Sequence, residues 1–303
     1  MKRLTPRLPE TPASLTLLVL GLFCLALTTF FTLQPATAAV VVEEIKIEPG
    51  YQPEIKKKVQ DAKNEKSDKP DAPRDPDLAQ YGIFLNEAST AMIIHPVPTE
   101  LPLKLKKRDR IAFIGNTLLD RAQQFGHFEA NLQLGHPGQE LVIRNFAWSA
   151  DEVDLQPRPT NFATVDQHLT REQVDVVFAA FGYNESFDGL EAIDVFKERL
   201  AKALLDLKAK AYNGVTAPQI VLVSPIANEN TAKVPAADLN NERLAAYTEA
   251  MAEVAARMQV GFANVFTATR SAMANAGNDL TINGAHLNDA GYKVFADTLF
   301  KAV

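Results

Sequence analysis

The chain of 303 residues contains a single cysteine, Cys24, and a single tryptophan, Trp148. One thiol excludes an intrachain disulfide, and removal of the segment that holds Cys24 would also exclude a thiolate nucleophile. The five histidines are scattered, and no pair has the i, i+4 spacing of a helical zinc site, so neither a metal nor a cofactor is expected. Basic residues are outnumbered, 31 Lys and Arg against 37 Asp and Glu, giving a formal charge of -6. That balance argues against nucleic acid as a partner held by a basic surface. There is no internal repeat. No aromatic cluster along the sequence announces a carbohydrate platform, no long apolar loop announces a lipase lid, and Trp148 is expected to pack in the core.

One long apolar run is present, from about Leu15 to Leu33, after the basic residues Lys2, Arg3 and Arg7 and before Ala36-Thr37-Ala38. Residues 1–39 therefore read as a secretory signal peptide with a small-x-small cleavage site, and an uncleaved membrane anchor is the alternative. Phe23 stands where a lipoprotein signal needs a small residue, which argues against lipid attachment to Cys24. Both alternatives place the folded part outside the cytoplasm, periplasmic or secreted. Residues 40–80 are charged and proline-bearing with few large apolar side chains, and read as a flexible tether. Residues 81–109 regain apolar character without a helical period and read as an extended arm lying on the main domain.

From residue 110 to residue 303 strands and helices alternate. Strands are expected at Arg110–Ile114, Leu141–Arg144, Val174–Phe181, Gln219–Val223 and Gly261–Val265. Helices are expected at Thr117 to about Leu134, Leu190–Tyr212, Leu239–Met258 and Asn288–Ala302. Strands that are apolar throughout and separated by helices indicate an α/β fold, a parallel sheet covered on both faces. Ligands bind such sheets beyond the carboxyl ends of the strands.

Four loops at that edge hold chemically useful residues. In IGNT, Gly115 permits a tight turn and Thr117 offers a hydroxyl at a helix start, where Asn116 or Thr117 can also serve simply as cap. In WSAD, Ser149 and the N–H of Ala150 are candidate oxyanion donors. In FGYNE, Gly182 turns the chain and Asn184 can present its carboxamide or close an Asx-turn. In INGAHLNDAGY, Asn283 stands three residues before His286, which precedes the last helix; this is a suitable mount for a base.

Taken in order, these loops resemble the SGNH (GDSL-like) hydrolase superfamily over roughly Arg110 to Val303. The resemblance implies a flavodoxin-like three-layer fold and an exported esterase, lipase or carbohydrate deacetylase. It also implies a Ser–His–Asp triad working without metal. Gly182 and Asn184 match the family's third block, His286 matches its base, and LNDAGY is much like the family. The nucleophile would be Thr117 in place of serine, and Asn283 takes the place of the triad aspartate. Ala150 stands for the second-block glycine, and Glu185 for the aspartate after Asn184.

Threonine keeps the hydroxyl but crowds it, and asparagine orients an imidazole without neutralising its charge. Ala150 keeps its N–H provided the position does not need a positive φ. Asp120, one turn after Thr117, and His127 are further residues that would contribute if they faced the cleft. The expected activity is hydrolysis of acyl esters, such as those on O-acetylated carbohydrate, by a degenerate triad of Thr117, His286 and Asn283 with Asn184 and Ala150 in the oxyanion hole. The alternative is a weak or inactive module that binds a glycan or other small ligand on the same fold.

Overall fold

The computed structural model describes residues 90–159, 162–232, 234–235 and 237–303. The leader, the tether and the first part of the arm lie outside the described residues.

A five-stranded parallel sheet organises the domain. Its strands are β2 (Arg110–Gly115), β3 (Val142–Asn145), β4 (Val176–Ala180), β6 (Gln219–Val223) and β7 (Gly261–Ala263), in the order β3-β2-β4-β6-β7. Side chains alternate across the sheet because successive residues of a strand point to opposite faces. Ile111, Phe113, Phe178, Val221 and Val223 enter one core; Ala112, Ile114, Val177, Ile220 and Leu222 enter the other. Both sets are apolar, so both faces need a cover, and helices supply it.

The first face is covered by α1 (Thr117–Ala122), α2 (His127–Gly135), α6 (Val265–Asn275) and α7 (Asp289–Ala302). Phe113, Phe128 and Phe178 meet there with ring centroids 5.2 to 5.7 Å apart. The second face is covered by α3 (Val165–Arg171), α4 (Ile193–Lys208) and α5 (Ala237–Met258), through Leu169, Leu200, Leu204, Tyr247, Met251 and Val254.

Two short strands outside this sheet, β1 (Met92–Ile93) and β5 (Lys210–Ala211), pair antiparallel and bring the arm against the end of α4. Leu103, further along the arm, is buried in the first core.

Several boundaries differ from the sequence expectation. The helix expected from Thr117 to about Leu134 is two helices, because Gly126 adopts φ 67° between them. An apolar spacing that runs on through a break conceals the break. The helix expected to reach Tyr212 ends at Lys208: Asp166 binds the Lys210 ammonium and accepts the Tyr212 hydroxyl at 2.7 Å, holding that segment extended. The strand expected to reach Val265 stops at Ala263, and Asn264 caps α6, for which no helix is expected. Helix α3 is likewise unassigned by the sequence pattern; Thr164 and Gln167 form its capping box.

Register decides where the loops open. Gly115 pairs with Ala180, and Ala180 with Val223, so β2, β4 and β6 end level with one another. The chain leaves β2 toward one side of the sheet and β4 toward the other. The resulting crevice is the usual ligand position in such folds. Gly115 makes this edge possible: a Cβ there would lie 2.0 Å from the Ala180 carbonyl oxygen, and its φ is 110°.

Candidate active site

The loop after β2 places a hydroxyl at the start of α1. Asn116 is the N-cap, its Oδ1 accepting the Leu118 N–H at 3.1 Å. Capping therefore falls to Asn116 and not to Thr117. Thr117 Oγ1 accepts the Ala150 N–H at 3.2 Å, which ties the loop after β2 to the loop after β3. Ala150 has φ 68°. The position does need a positive φ: the N–H points at Thr117 Oγ1, and an L-residue holds it there at a cost of about 1–2 kcal/mol.

Gly182 has φ 87°, and a Cβ would approach the Met251 sulfur to 2.7 Å. The turn presents Asn184, whose side chain caps nothing. The Asx-turn alternative is not what the structure contains. Behind it Glu185, 1% exposed, accepts the N–H groups of Val153 at 3.0 Å and Gly182 at 2.8 Å. One carboxylate thereby links the loops after β3 and β4, and burial raises its pKa to about 7.

The last loop is arranged around Asn283. Its Oδ1 accepts the N–H groups of Ala285 and His286 at 3.2 and 2.9 Å, and lies 3.1 Å from His286 Nδ1. Two main-chain donors fix that atom as the amide oxygen, so Nδ1 donates to it and Nε2 keeps its lone pair. Burial, and secondarily the positive charge of Arg121, hold the imidazole below the ordinary histidine pKa. The imidazole is neutral at neutral pH, the form that accepts a proton.

A residue not anticipated from sequence supports this loop. Glu229 is 6% exposed, and its carboxylate accepts the N–H of Leu280, the N–H of Thr281 at 2.8 Å and the Thr281 hydroxyl at 2.6 Å. Its own N–H donates to the Gly284 carbonyl at 2.8 Å. A lone glutamate between two asparagines carries no motif; only the fold brings it under a loop 51 residues away.

Thr117, Asn184 and His286 line one cavity of about 120 Å³, with Phe181, Ile226 and Leu287 among its apolar walls. Ala150 stands at its edge through the bond to Thr117. Among the described residues no direct hydrogen bond joins Thr117 to His286. The other three hydroxyls lining the cavity are committed as donors: Tyr183 to Asn228 Oδ1, Ser224 to the Pro225 carbonyl and Tyr292 to the Leu118 carbonyl, each at 2.9 Å. Burial raises the pKa of both tyrosines, which keeps them neutral. Thr117 is the one hydroxyl of this set whose proton is not already given to a fixed acceptor.

Three further expectations are answered by position. Asp120 accepts the Ser149 hydroxyl at 2.5 Å, so it faces that loop rather than His286, and Ser149 is turned away from an oxyanion role. His127 pairs with Asp289 at 2.9 Å, joining α2 to α7. Trp148 is 46% exposed, not a core residue.

Comparison with known proteins agrees with this fold. Residues 114–294 match the model of the GDSL-like Lipase/Acylhydrolase family. A solved structure from Parabacteroides merdae described as a GDSL-like lipase is similar, with TM-score 0.53 and 19% identity over 66% of this chain and 97% of that one. A catalytic mutant of an acetylxylan esterase from Geobacillus stearothermophilus has TM-score 0.51 and 17% identity over 66% of this chain and 96% of that one. No curated protein matches.

Proposed function

This chain belongs to the GDSL-like lipase/acylhydrolase family, and from that membership we propose that it hydrolyses small acyl esters through Thr117. The observation that carries the proposal is the free Thr117 hydroxyl on a cavity shared with a neutral, oriented imidazole. Thr117 Oγ1 attacks the ester carbonyl carbon while its proton passes to His286 Nε2. Negative charge develops on the carbonyl oxygen, where the Asn184 carboxamide and the N–H groups of Thr117 and Ala150 receive it. His286 returns the proton to the departing alkoxide, and water, activated the same way, releases the acid from the acyl-threonine. Asn283 keeps the imidazole in the tautomer that this sequence requires. Thr117 and His286 engage directly, or through one water, once substrate fills the cavity; such contacts tighten on binding.

A cavity of about 120 Å³ suits an acetyl or other short acyl group. The fold shared with an acetylxylan esterase supports an acylated carbohydrate as substrate. The apolar leader and charged tether support an extracytoplasmic location, with the domain held at a membrane if the leader is retained.

Asn283 in place of a carboxylate also favours a second reading, a site that binds such a ligand without turnover. Acetyl-ester hydrolysis by the purified protein, beside Thr117→Ala and His286→Ala, separates the two. Turnover lost in both variants establishes the threonine mechanism. Absence of turnover, or turnover that both variants keep, rejects it in favour of binding.

A further inference from the structure

Trp148 has an unusual setting for the only indole of the chain. Its main-chain N–H donates to the Gly115 carbonyl at 2.8 Å, and two residues later the Ala150 main-chain N–H donates to Thr117 Oγ1. Trp148 therefore lies on the loop that contacts Thr117, and its side chain is 46% exposed. The Arg158 guanidinium lies over it, 4.5 Å from a ring centroid. Arg158 is in turn gripped by both oxygens of Asp151, at 2.7 and 2.6 Å, and Asp151 is 1% exposed. A buried carboxylate thus fixes a cation that fixes an indole.

Phe162 stands edge-on to the indole, 5.6 Å away at 81°, and is itself 42% exposed. Behind it His168 stacks on Phe146 at 5.2 Å. The indole is held by Arg158 and Asp151, and Phe162 by its contacts with Trp148 and His168. The surroundings are not a continuous apolar sheet: the Arg158 guanidinium lies over the indole, and Ser149, next in the chain, is bonded to Asp120.

We infer that the exposed part of the Trp148 ring, with Phe162 standing at right angles to it as a wall, forms a ledge on which a pyranose ring of the ester's alcohol half stacks while its acyl group enters the cavity beside Thr117. A pyranose suits this surface because it has a flat face of C–H groups for an aromatic ring and hydroxyls around its rim for the polar border. A long acyl chain would meet those charged groups without compensation. The division between a short acyl cavity and a sugar ledge rests on the ester-hydrolase reading above, but the ledge itself can be tested without turnover.

The test uses the full chain. Because Trp148 is the sole tryptophan, its emission reports on the ledge alone. Titration with unacetylated cellotetraose is expected to give a saturable change in emission, weakened several-fold by Phe162→Ala. In kinetics, Trp148→Ala is expected to raise KM for partially acetylated cellotetraose by about tenfold with kcat little changed. The same variant should leave kcat/KM for 4-nitrophenyl acetate within about twofold, and Trp148→Phe should recover much of the loss.

No saturable change in emission overturns the ledge. So does an equal loss on both esters, which would mean that Trp148 only supports the Ala150 loop, and so does a loss confined to long-chain 4-nitrophenyl esters. Failure of the wild-type protein to cleave either ester defeats the hydrolase reading instead, and the emission titration then decides the ledge alone.

Discussion

Replacing Asn283 by aspartate restores the missing carboxylate without disturbing what Asn283 already does. All three contacts of its side chain are made by Oδ1 as acceptor, to two main-chain N–H groups and His286 Nδ1. An aspartate oxygen takes the same three bonds, so the loop should keep its shape. The new term is attraction between the carboxylate and the imidazolium that forms as Thr117 loses its proton. At about 4 Å this is worth roughly 1 kcal/mol in water and roughly 4 kcal/mol at the effective dielectric of a protein surface. Asn283 is exposed, so we expect about 2 kcal/mol, or roughly a thirtyfold rise in kcat/KM for 4-nitrophenyl acetate. A buried triad would set the ceiling, on the order of 10⁴.

The same term shifts the pH profile. In the wild-type protein burial and Arg121 lower the His286 pKa, so the acid limb lies below that of an ordinary histidine. Aspartate stabilises the protonated imidazole, so the limb of the Asn283→Asp variant should move upward by about one to one and a half pH units. The assay is initial rate against pH for both proteins. A variant with neither a higher plateau nor a displaced acid limb would refute the assignment of His286 as base and Asn283 as its orienting partner.

Further outcomes follow from single contacts. Ala150→Gly removes the left-handed strain at φ 68° while keeping the N–H to Thr117; we expect about 1 kcal/mol of added stability, read as a rise of about 2–4 °C in thermal unfolding. Glu229→Gln turns one of two buried acceptors toward main-chain N–H groups as a donor; it should cost about 1–3 kcal/mol and lower kcat at least about tenfold by releasing the His286 loop, which unfolding and steady-state kinetics on one preparation would measure. Glu185 has a folded pKa of about 7 against 4.5 for the free side chain, so the folded protein retains a proton that the unfolded chain releases. Its contribution, about 3 kcal/mol, is complete below pH 4.5 and is lost as pH rises through 7; thermal unfolding of wild type against Glu185→Gln over that range should show a flatter profile for the variant.

The fold and the order of the site loops were legible because they depend on local pattern. Apolar strands such as VVFAA, helices between them and Asn-x-x-His before a capped helix each express chemistry within a few residues. Gly115 and Gly182 stand where positive φ is required, which glycine adopts without steric cost. Helix α6 was missed although its cap, Asn264, is plain in the sequence, because the apolar stretch around it continues the strand pattern. Residue type alone points Trp148 to the core, whereas the fold leaves it 46% exposed beneath Arg158.

By itself, then, the sequence determined the layered α/β architecture and the four loops at one sheet edge that carry Thr117, Ala150, Asn184 and His286. Tertiary structure alone decided which hydroxyl of the cavity remains free, that Ala150 bears a left-handed backbone, and that Glu185 and Glu229 hold loops distant in sequence. These are properties of contacts between segments from 32 to more than 50 residues apart, and no periodicity or motif encodes which donors a buried carboxylate will meet once the sheet brings its loops together.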